Sequence, residues 1–258
     1  MNMKWPNDLT FIRHDVSAYN VLKAKKEADP IYRLFVEMFR TNPDGETTKR
    51  VARQLWLKYK LDCSDAETPL IDSEAKQTQK TGQGIKKFLR LPDIILVSPY
   101  RRAKDTLKGL TKGWPELAEV KTLEEERIRE QEHGLAALYN DWRIFQVFHP
   151  EQRLLYEQDG SYRYRYPQGE NVPDVRVRSA LMIETFIREY SGKTVMCICH
   201  HLNILAMRAN LERLNEEQFL SLDAKDKPIN CGVTVYRGDP KQGKNGRLVL
   251  DFYNKKFY

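Results

Sequence analysis

Residues 9–20 read LTFIRHDVSAYN, and this stretch carries the first strand of the chain and its first chemically reactive side chains. The apolar run from Leu9 to Ile12 is typical of a buried strand. Arg13 and His14 follow at once, and ligands of open α/β sheets bind just beyond the carboxyl ends of strands. Arg13 offers a planar fork suited to an oxyanion, and His14 offers a nitrogen that acts as a nucleophile at neutral pH. The stretch predicts an α/β protein with a site after its first strand.

Three later stretches also end an apolar run with charged or polar groups. They are LVSPYRRAKDTL (96–107), RIREQEHGL (127–135) and VMCICHHLNIL (195–205). With residues 13–20 they resemble the histidine phosphatase superfamily, also called the phosphoglycerate mutase-like family. Its signature is R-H-G-x-S-x-x-N, then S-P-x-x-R-A-x-x-T, a Glu ahead of a Gly, and a late His-Gly. Here these elements read R-H-D-V-S-A-Y-N, S-P-Y-R-R-A-K-D-T, E-Q-E-H-G and C-H-H, in the same order over nearly the whole chain.

This resemblance implies a fold, an activity and a set of site residues. The fold is a three-layer α/β/α sandwich with a mostly parallel central sheet. The activity is that of a phosphatase that forms a phosphohistidine on a small phosphorylated substrate and uses neither a metal nor another cofactor. The catalytic residues implied are His14, Glu130 and His200, and the phosphate-binding residues implied are Arg13, Asn20 and Arg102.

Two of these assignments are choices between neighbours. The family pattern has its phosphate-binding Arg immediately before Ala, which selects Arg102 and leaves Arg101 for a surface ion pair. The family Glu stands four residues before Gly134, which selects Glu130 as the proton donor to the leaving oxygen. Glu132 is the nearest rival.

The chain departs from the family signature at two positions. Asp15 replaces the Gly after the first His and adds a negative charge beside an anion site. His201 replaces the Gly after the second His, and either crowds the pocket or adds a donor. A catalytically weak protein that only binds a phosphorylated ligand is therefore an alternative to a working enzyme.

A phosphoglycerate mutase is the second alternative. In those enzymes the family Glu is followed by an Arg that grips the substrate carboxylate. Here that position holds the neutral Gln131, and Glu132 adds repulsion toward an anionic acid. Arg163 or Arg165 in a later loop could supply a replacement. The sequence favours a phosphatase.

The composition allows one large domain of 258 residues, spanning 1–258. The formal charge of +7 suits an anionic substrate. A nucleic-acid partner is the competing interpretation, but its motifs are missing from the sequence and the charges are interspersed. The opening residues lack the apolar region of a signal peptide, and no run of roughly 20 apolar residues predicts a membrane span. We therefore expect a cytoplasmic protein; its oligomeric state cannot be read from the sequence.

Clustered cysteines and histidines near residue 200 raise the question of zinc. Cys197 and Cys199 precede His200 and His201 on the same strand. Strand alternation directs the two cysteines away from His200, and no second ligand pair lies at a finger-like spacing. The sequence therefore predicts no metal site here.

Two insertions are expected in the domain. The first covers about 21–66 and is helical, with Pro30 and the turn-like NPDGE at 42–46 separating two or three helices. The second covers about 136–168, is rich in aromatic and basic residues, and is expected to form a lid. A base-stacking surface and simple packing are its alternatives. Its YRYRYP segment alternates as a strand would.

The remaining segments are expected to cover and extend the sheet. A helix is predicted over 69–91 with Asp72 or Ser73 as its N-cap, and an amphipathic helix is predicted from Asn171 to Tyr190. Residues 232–238 and 247–254 flank a polar, Gly-containing loop. They predict a hairpin at the sheet edge.

Overall fold

One mixed sheet dominates the computed structural model, which describes residues 4–71 and 75–258. In the described chain its strands are β1 (Asp8–Arg13), β2 (Ile94–Val97), β3 (Thr122–Glu124), β4 (Thr194–Cys199), β5 (Val233–Asp239) and β6 (Arg247–Lys255). Their order across the sheet is β3-β2-β4-β1-β5-β6. The first four strands in that order pair in parallel, and β5 and β6 add an antiparallel hairpin at one edge. The predicted edge hairpin is confirmed.

Helices connect these strands and cover the sheet. The described α-helices are α1 (Ala18–Ala28), α2 (Pro30–Thr41), α3 (Glu46–Lys58), α4 (Ala75–Ile85), α5 (Arg101–Gly113), α6 (Trp142–Phe148), α7 (Pro150–Arg163), α8 (Val172–Glu189), α9 (His201–Glu212) and α10 (Glu216–Lys225). Short 3-10 segments lie at Pro115–Glu119, Glu126–Ile128 and Gly134–Tyr139.

The sheet is apolar on both faces, as expected for parallel strands covered by helices. On β1, Leu9 and Phe11 join one core cluster, whereas Ile12 joins the other. The first cluster packs against Met182 and Phe186 of α8 and against apolar residues of α9. The second packs against apolar residues of α4 and α5. The sheet therefore lies between two helical layers, and the three-layer α/β/α prediction is confirmed.

Glycines bring α4 and α5 unusually close. A Cβ added to Gly82 of α4 would collide with the backbone of Leu110, and one added to Gly113 of α5 would collide with the backbone of Gln79. Glycine is a poor helix former, so these two residues weaken their own helices. Their lack of a side chain is what allows the two helices to pack this closely. The predicted helix over 69–91 ends at Ile85, followed by turns. Its proposed N-cap, Asp72 or Ser73, lies outside the described residues.

The chain forms two compact units. The first runs to Ser17 and then covers Ala66–Glu130 and Asp174–Tyr258, which include the whole sheet. The second covers Ala18–Asp65 and Gln131–Pro173. These two segments have bounds close to the predicted insertions at 21–66 and 136–168. Their interpretation as a helical insertion and a lid within a single domain stays a prediction.

The second unit contains helices α1–α3, α6 and α7, and residues of α1, α2, α3 and α6 form a core of its own. The predicted separators lie at helix boundaries: α2 starts at Pro30, with the Asp29 side chain as its N-cap, and α3 starts after Gly45. The buried face of α2 presents Tyr32 and Phe35, whereas Ile31 and Leu34 are exposed.

A buried ion pair links three helices of the second unit. Lys26 of α1 lies 2.6 Å from Oδ2 of Asp141, and Tyr32 of α2 donates its hydroxyl to the same oxygen. The other carboxylate oxygen accepts from the backbone N–H groups of Arg143 and Ile144 and so caps α6. Every oxygen of this carboxylate has a partner, which is the condition under which a buried charge is tolerated.

The strand-like YRYRYP segment does not form a strand. Tyr162 and Arg163 end α7, and residues 164–166 have no strand partner. Tyr162 and Tyr164 are nevertheless buried while Arg163 and Arg165 are exposed. The rings pack on one another, with Tyr164 and Tyr166 5.0 Å apart between centroids. The alternation in the sequence thus reflects ring packing, without a ladder of backbone hydrogen bonds.

Candidate active site

The neighbouring strands β1 and β4 bring two histidines together at the carboxyl edge of the sheet. The strands are parallel and Arg13 is paired with Cys199, so His14 and His200 leave the sheet side by side. The backbone N–H of His14 donates to the carbonyl of Cys199 at 3.0 Å. The two imidazole centroids are 5.1 Å apart, with the rings tilted by 55°. Both side chains are buried.

The proton of His14 can be assigned from its contact with the next residue. Nδ1 of His14 lies 2.6 Å from the backbone carbonyl oxygen of Asp15. A carbonyl only accepts hydrogen bonds, so we assign the proton to Nδ1, which leaves the lone pair on Nε2. The carbonyl of His14 itself accepts from the amide of Asn230 at 2.9 Å. His14 is thus held in the tautomer and orientation of a nucleophile.

His200 is held from the end of β2. Its Nε2 lies 2.7 Å from Oγ of Ser98, and its buried Nδ1 has no hydrogen-bond partner among the described residues. Tyr100 packs edge-on against the imidazole, with centroids 5.1 Å apart. The guanidinium of Arg102 in turn lies over the Tyr100 ring, 4.9 Å from its centroid.

Positive charge surrounds both histidines. Burial lowers the pKa of His14 well below its usual value, and the charges of Arg102 and Arg13 lower it further. Burial also lowers the pKa of His200 well below its usual value. Electrostatic repulsion from Arg102, His14 and Arg13 lowers it further. Both imidazoles are therefore neutral at pH 7, as a nucleophile requires.

The two arginines of the site differ in how they are held. Arg13 donates Nη1 to the carbonyl of Pro228 at 2.6 Å. Burial lowers its pKa, partly offset by the negative charge of Glu130 and reinforced by the positive charge of Arg102. Arg102 is buried in the first turn of α5, whereas Arg101 is exposed and lies 3.5 Å from Asp105. Arg101 thus forms the surface ion pair that the sequence predicted.

The carboxylate of Glu130 lies beside the first turn of α9. Its Oε1 accepts from the backbone N–H of Leu202 at 3.1 Å, two residues after His200. Arg178 of α8 donates to the backbone carbonyls of Glu130 and Arg127, at 3.0 and 2.8 Å. A buried guanidinium therefore fixes the backbone that carries the carboxylate.

Glu132 has a different environment. Its side chain is exposed, and its backbone pairs with Glu170 within the second unit. Gly134 follows at a φ of +49°, and a Cβ there would collide with the carbonyl of Pro167. The glycine of the E-Q-E-H-G segment is thus required by close packing against the P-Q-G-E-N segment.

The two departures from the family signature have defined surroundings. The buried Asp15 accepts at Oδ1 from the backbone N–H of Val16 and from the amide of Gln77, both at 2.7 Å. Its backbone N–H donates to Thr106 of α5. Asp15 therefore anchors the loop after β1 to α4 and α5. The imidazole of His201 lies 2.7 Å from Asp223 of α10.

The first unit thus gathers Arg13, His14, Arg102, Glu130 and His200 around one edge of the sheet. Asn20 lies in α1 of the second unit, and its phosphate-binding role stays a prediction. No group of three or more His, Cys, Asp and Glu side chains suited to a metal occurs among residues 4–71 and 75–258.

Sequence reasoning missed several groups that hold this site, namely Ser98, Arg178 and Asn230. The sequence contained a pattern from which the role of Arg178 could have been predicted. It lies three residues after Val175 and four before Met182, on the buried face of α8. A charged residue on the apolar face of an amphipathic helix needs a buried partner, which here is a pair of carbonyls.

Comparisons with known proteins show the family and the fold of this chain. The profile of a family described as the histidine phosphatase superfamily (branch 1) matches residues 45–250. A phosphoglycerate mutase-like protein of Arabidopsis thaliana, AT74H, is 27% identical over 135 residues, which are 48% of this chain and 46% of that protein. The match thus spans less than half the length of the plant relative.

Two further similarities cover more of the chain. A 2,3-bisphosphoglycerate-dependent phosphoglycerate mutase of Parvibaculum lavamentivorans is 25% identical over 73% of this chain and 87% of its own length. The solved structure of a mycobacterial glucosyl-3-phosphoglycerate phosphatase with inorganic phosphate superposes with a TM-score of 0.63. That superposition covers 97% of this chain and 98% of the other at 19% identity, and so shows a shared fold. None of the described helices has the length and apolar character that crossing a bilayer requires.

Proposed function

Because the chain belongs to the histidine phosphatase superfamily, we propose that it hydrolyses a small phosphorylated substrate through a phosphohistidine on His14. One observation carries the proposal. The carbonyl of Asp15 holds the proton of His14 on Nδ1, and the rest of the site leaves Nε2 unprotonated at pH 7. A buried, neutral and oriented imidazole beside two arginines is a nucleophile prepared for an anionic electrophile.

In the first step, Nε2 of His14 attacks phosphorus in line with the leaving oxygen. The P–O bond to the leaving group breaks as the P–N bond forms, and protonated Glu130 gives its proton to the leaving oxygen. Arg13 and Arg102 bind the phosphoryl oxygens, and His200 donates to one of them from Nδ1. These charges and dipoles are in position before the reaction, so they stabilise the transition state without reorganisation.

In the second step, water attacks the phosphohistidine. Glu130, now ionised, takes a proton from that water, and the P–N bond breaks to release phosphate and restore neutral His14. The arginines supply the charge stabilisation that a metal ion supplies in other phosphatases, so we expect full activity in the presence of a chelator. Asn20 is proposed as a further phosphate donor on the strength of its motif. A cytoplasmic location likewise stays a prediction.

Phosphatase chemistry is preferred to mutase chemistry on the evidence of one position. Gln131 stands where the mutases have their carboxylate-binding Arg, and its amide donates to the backbone carbonyl of Glu170 at 2.8 Å. A neutral side chain occupied in this way is a poor partner for a substrate carboxylate. Relatives named as mutases and structural neighbours named as phosphatases both occur, so an assay of the reaction products must distinguish the two activities.

Trapping the intermediate tests the proposal. Brief incubation with 32P-labelled substrate and rapid quenching should give acid-labile, base-stable label on His14. His14→Ala should lose the label and at least about 10³-fold in rate, as expected for a nucleophile. Full activity in this variant would rule out the mechanism.

A second assay, primed with bisphosphoglycerate, compares phosphate release with interconversion of 2- and 3-phosphoglycerate. Interconversion that is much faster than release would identify a mutase.

A further inference from the structure

Two consecutive histidines connect β4 to α9, and the reaction proposed above uses the first of them. His201 is the first residue of α9. The next residue, Leu202, binds the Glu130 carboxylate through its backbone N–H, so the first turn of α9 borders the site. Positive charge on His201 is also among the causes that lower the pKa of His14. His201 is therefore part of the surroundings of the nucleophile.

The imidazole of His201 is held in one orientation by α10. Its Nε2 lies 2.7 Å from Oδ1 of Asp223, and Nζ of Lys227 lies 3.7 Å from the same oxygen. Burial opposes the ionisation of Asp223, but the hydrogen bond and charge of His201, with the charge of Lys227, lower the pKa of the carboxyl. An ionised carboxylate only accepts, so Nε2 of His201 carries a hydrogen.

The other ring nitrogen of His201 is available. No hydrogen-bond partner for Nδ1 occurs among the described residues, and the side chain is 20% exposed. His14 is only 4% exposed and His200 is fully buried. His201 is thus the histidine of these three that reaches solvent. An imidazole nitrogen accepts from a hydroxyl when the ring is neutral and donates to a carboxylate when the ring is protonated.

We propose that His201, held by Asp223, is a specificity residue that hydrogen-bonds an oxygen substituent, hydroxyl or carboxylate, on the leaving group of the substrate. The proposal rests on the phosphatase activity inferred above and describes part of the molecule on which that activity acts. The phosphoryl group belongs at the buried His14–His200 pair, so the leaving group extends toward the exposed rim. Glycine, which the family signature has at this position, has no side chain to make such a contact.

Substrate comparison tests this role. The value of kcat/KM is measured for glycerol phosphate and for 3-phosphoglycerate, each relative to phenyl phosphate, which has no such oxygen. His201→Ala should lower at least one of these ratios about tenfold, mainly through KM, because one net hydrogen bond is lost. A loss for 3-phosphoglycerate alone indicates that the carboxylate is recognised, whereas a loss for both compounds indicates a hydroxyl, which both carry. Asp223→Ala should act in the same direction. Lys225→Ala, at an exposed position on the same helix, is the matched control.

Binding measurements separate this inference from the proposed reaction. In the His14→Ala background, where turnover is blocked, calorimetry gives the Kd of the same three compounds with and without His201→Ala. The expected result is a selective loss of affinity, about tenfold, for an oxygen-bearing compound. An equal loss for all three compounds, or no loss for any, would overturn the role of His201. If His201→Ala gives the selective loss of affinity but the wild-type protein has no phosphatase activity, only the proposed reaction is refuted.

Discussion

Nε2 of His200 lies 2.7 Å from Oγ of Ser98, and this contact is the basis on which we assign the proton of the imidazole. Ser98 Oγ also accepts from the backbone N–H of Tyr100 at 3.4 Å. Its own hydrogen can therefore point at Nε2 of His200, and we assign the proton of this imidazole to Nδ1. Nδ1 has no partner among the described residues and is therefore available to donate to a phosphoryl oxygen.

Removing the Ser98 hydroxyl should weaken catalysis by releasing this tautomer. We expect Ser98→Ala to lower kcat about fivefold, since a neutral hydrogen bond is worth on the order of 1 kcal/mol. The Tm should also fall, because Nε2 of the buried His200 loses its hydrogen-bond partner. Ser98→Thr keeps the hydroxyl and should recover part of the activity. Wild-type kcat in Ser98→Ala would show that the tautomer of His200 does not matter.

Glu130→Gln should separate the two chemical steps. The amide keeps an oxygen that can accept from Leu202 but can neither donate a proton as an acid nor remove one as a base. General acid–base groups contribute about 10²–10⁴ in rate. Phosphohistidine should therefore still form from p-nitrophenyl phosphate, whose leaving group needs no proton, and should then accumulate. Glu132→Gln is the control. A larger loss of rate in that variant would show that Glu132, and not Glu130, is the general acid and base.

Arg178→Ala should destabilise the protein and also impair turnover. Two carbonyls, those of Arg127 and Glu130, would lose their buried donor, at a cost of about 1–3 kcal/mol. Displacement of the Glu130 backbone should lower kcat more for poor leaving groups than for good ones. Val177→Ala, at an exposed position on the same helix, should be near neutral in urea unfolding. Equal unfolding free energies for the two variants would contradict the predicted cost of the lost hydrogen bonds, and an equal kcat effect for good and poor leaving groups would contradict the positioning role.

Stability should fall on acidification because both site histidines are buried and neutral. Their native pKa values lie well below the value near 6.5 of the unfolded chain. Below that pH the unfolded chain binds protons that the native protein does not, so the free energy of unfolding decreases toward the native pKa values. Each histidine contributes a slope of at most about 1.4 kcal/mol per pH unit. Urea titrations from pH 7.5 to 5 measure this slope, which should shrink in His14→Asn.

In the second unit, Asp141→Ala should be strongly destabilising. It would leave Lys26 buried without its carboxylate and remove the cap of α6, and breaking such a buried pair costs about 3–5 kcal/mol. Glu46→Ala, which removes an exposed partner of Lys49, should stay within about 0.5 kcal/mol of the parent. Thermal or urea unfolding compares the two. A small effect of Asp141→Ala would mean that the pair is not stabilising.

Local sequence patterns were sufficient for most strands of the sheet and for several of the candidate residues that lie at its carboxyl edge. Short apolar runs predicted β1, β2 and β4, because strands covered on both faces are apolar along their whole length. Pro30 and Gly45 marked the helix boundaries of the second unit through their backbone preferences. The YRYRYP segment shows where this reasoning fails. Alternating burial arose from rings that pack on one another, and a strand also requires a partner that the local sequence does not specify.

The sequence by itself determined which chemical groups leave the strands at the carboxyl edge, because strand ends and motif spacing are local properties. Only the tertiary structure decided how those groups are oriented and protonated. Ser98 fixes the proton of His200, the Asp15 carbonyl fixes that of His14, and Asp223 orients His201 from 22 residues away. A hydrogen-bond partner is selected by distance and angle in three dimensions. Neighbouring residues along the chain do not reveal it.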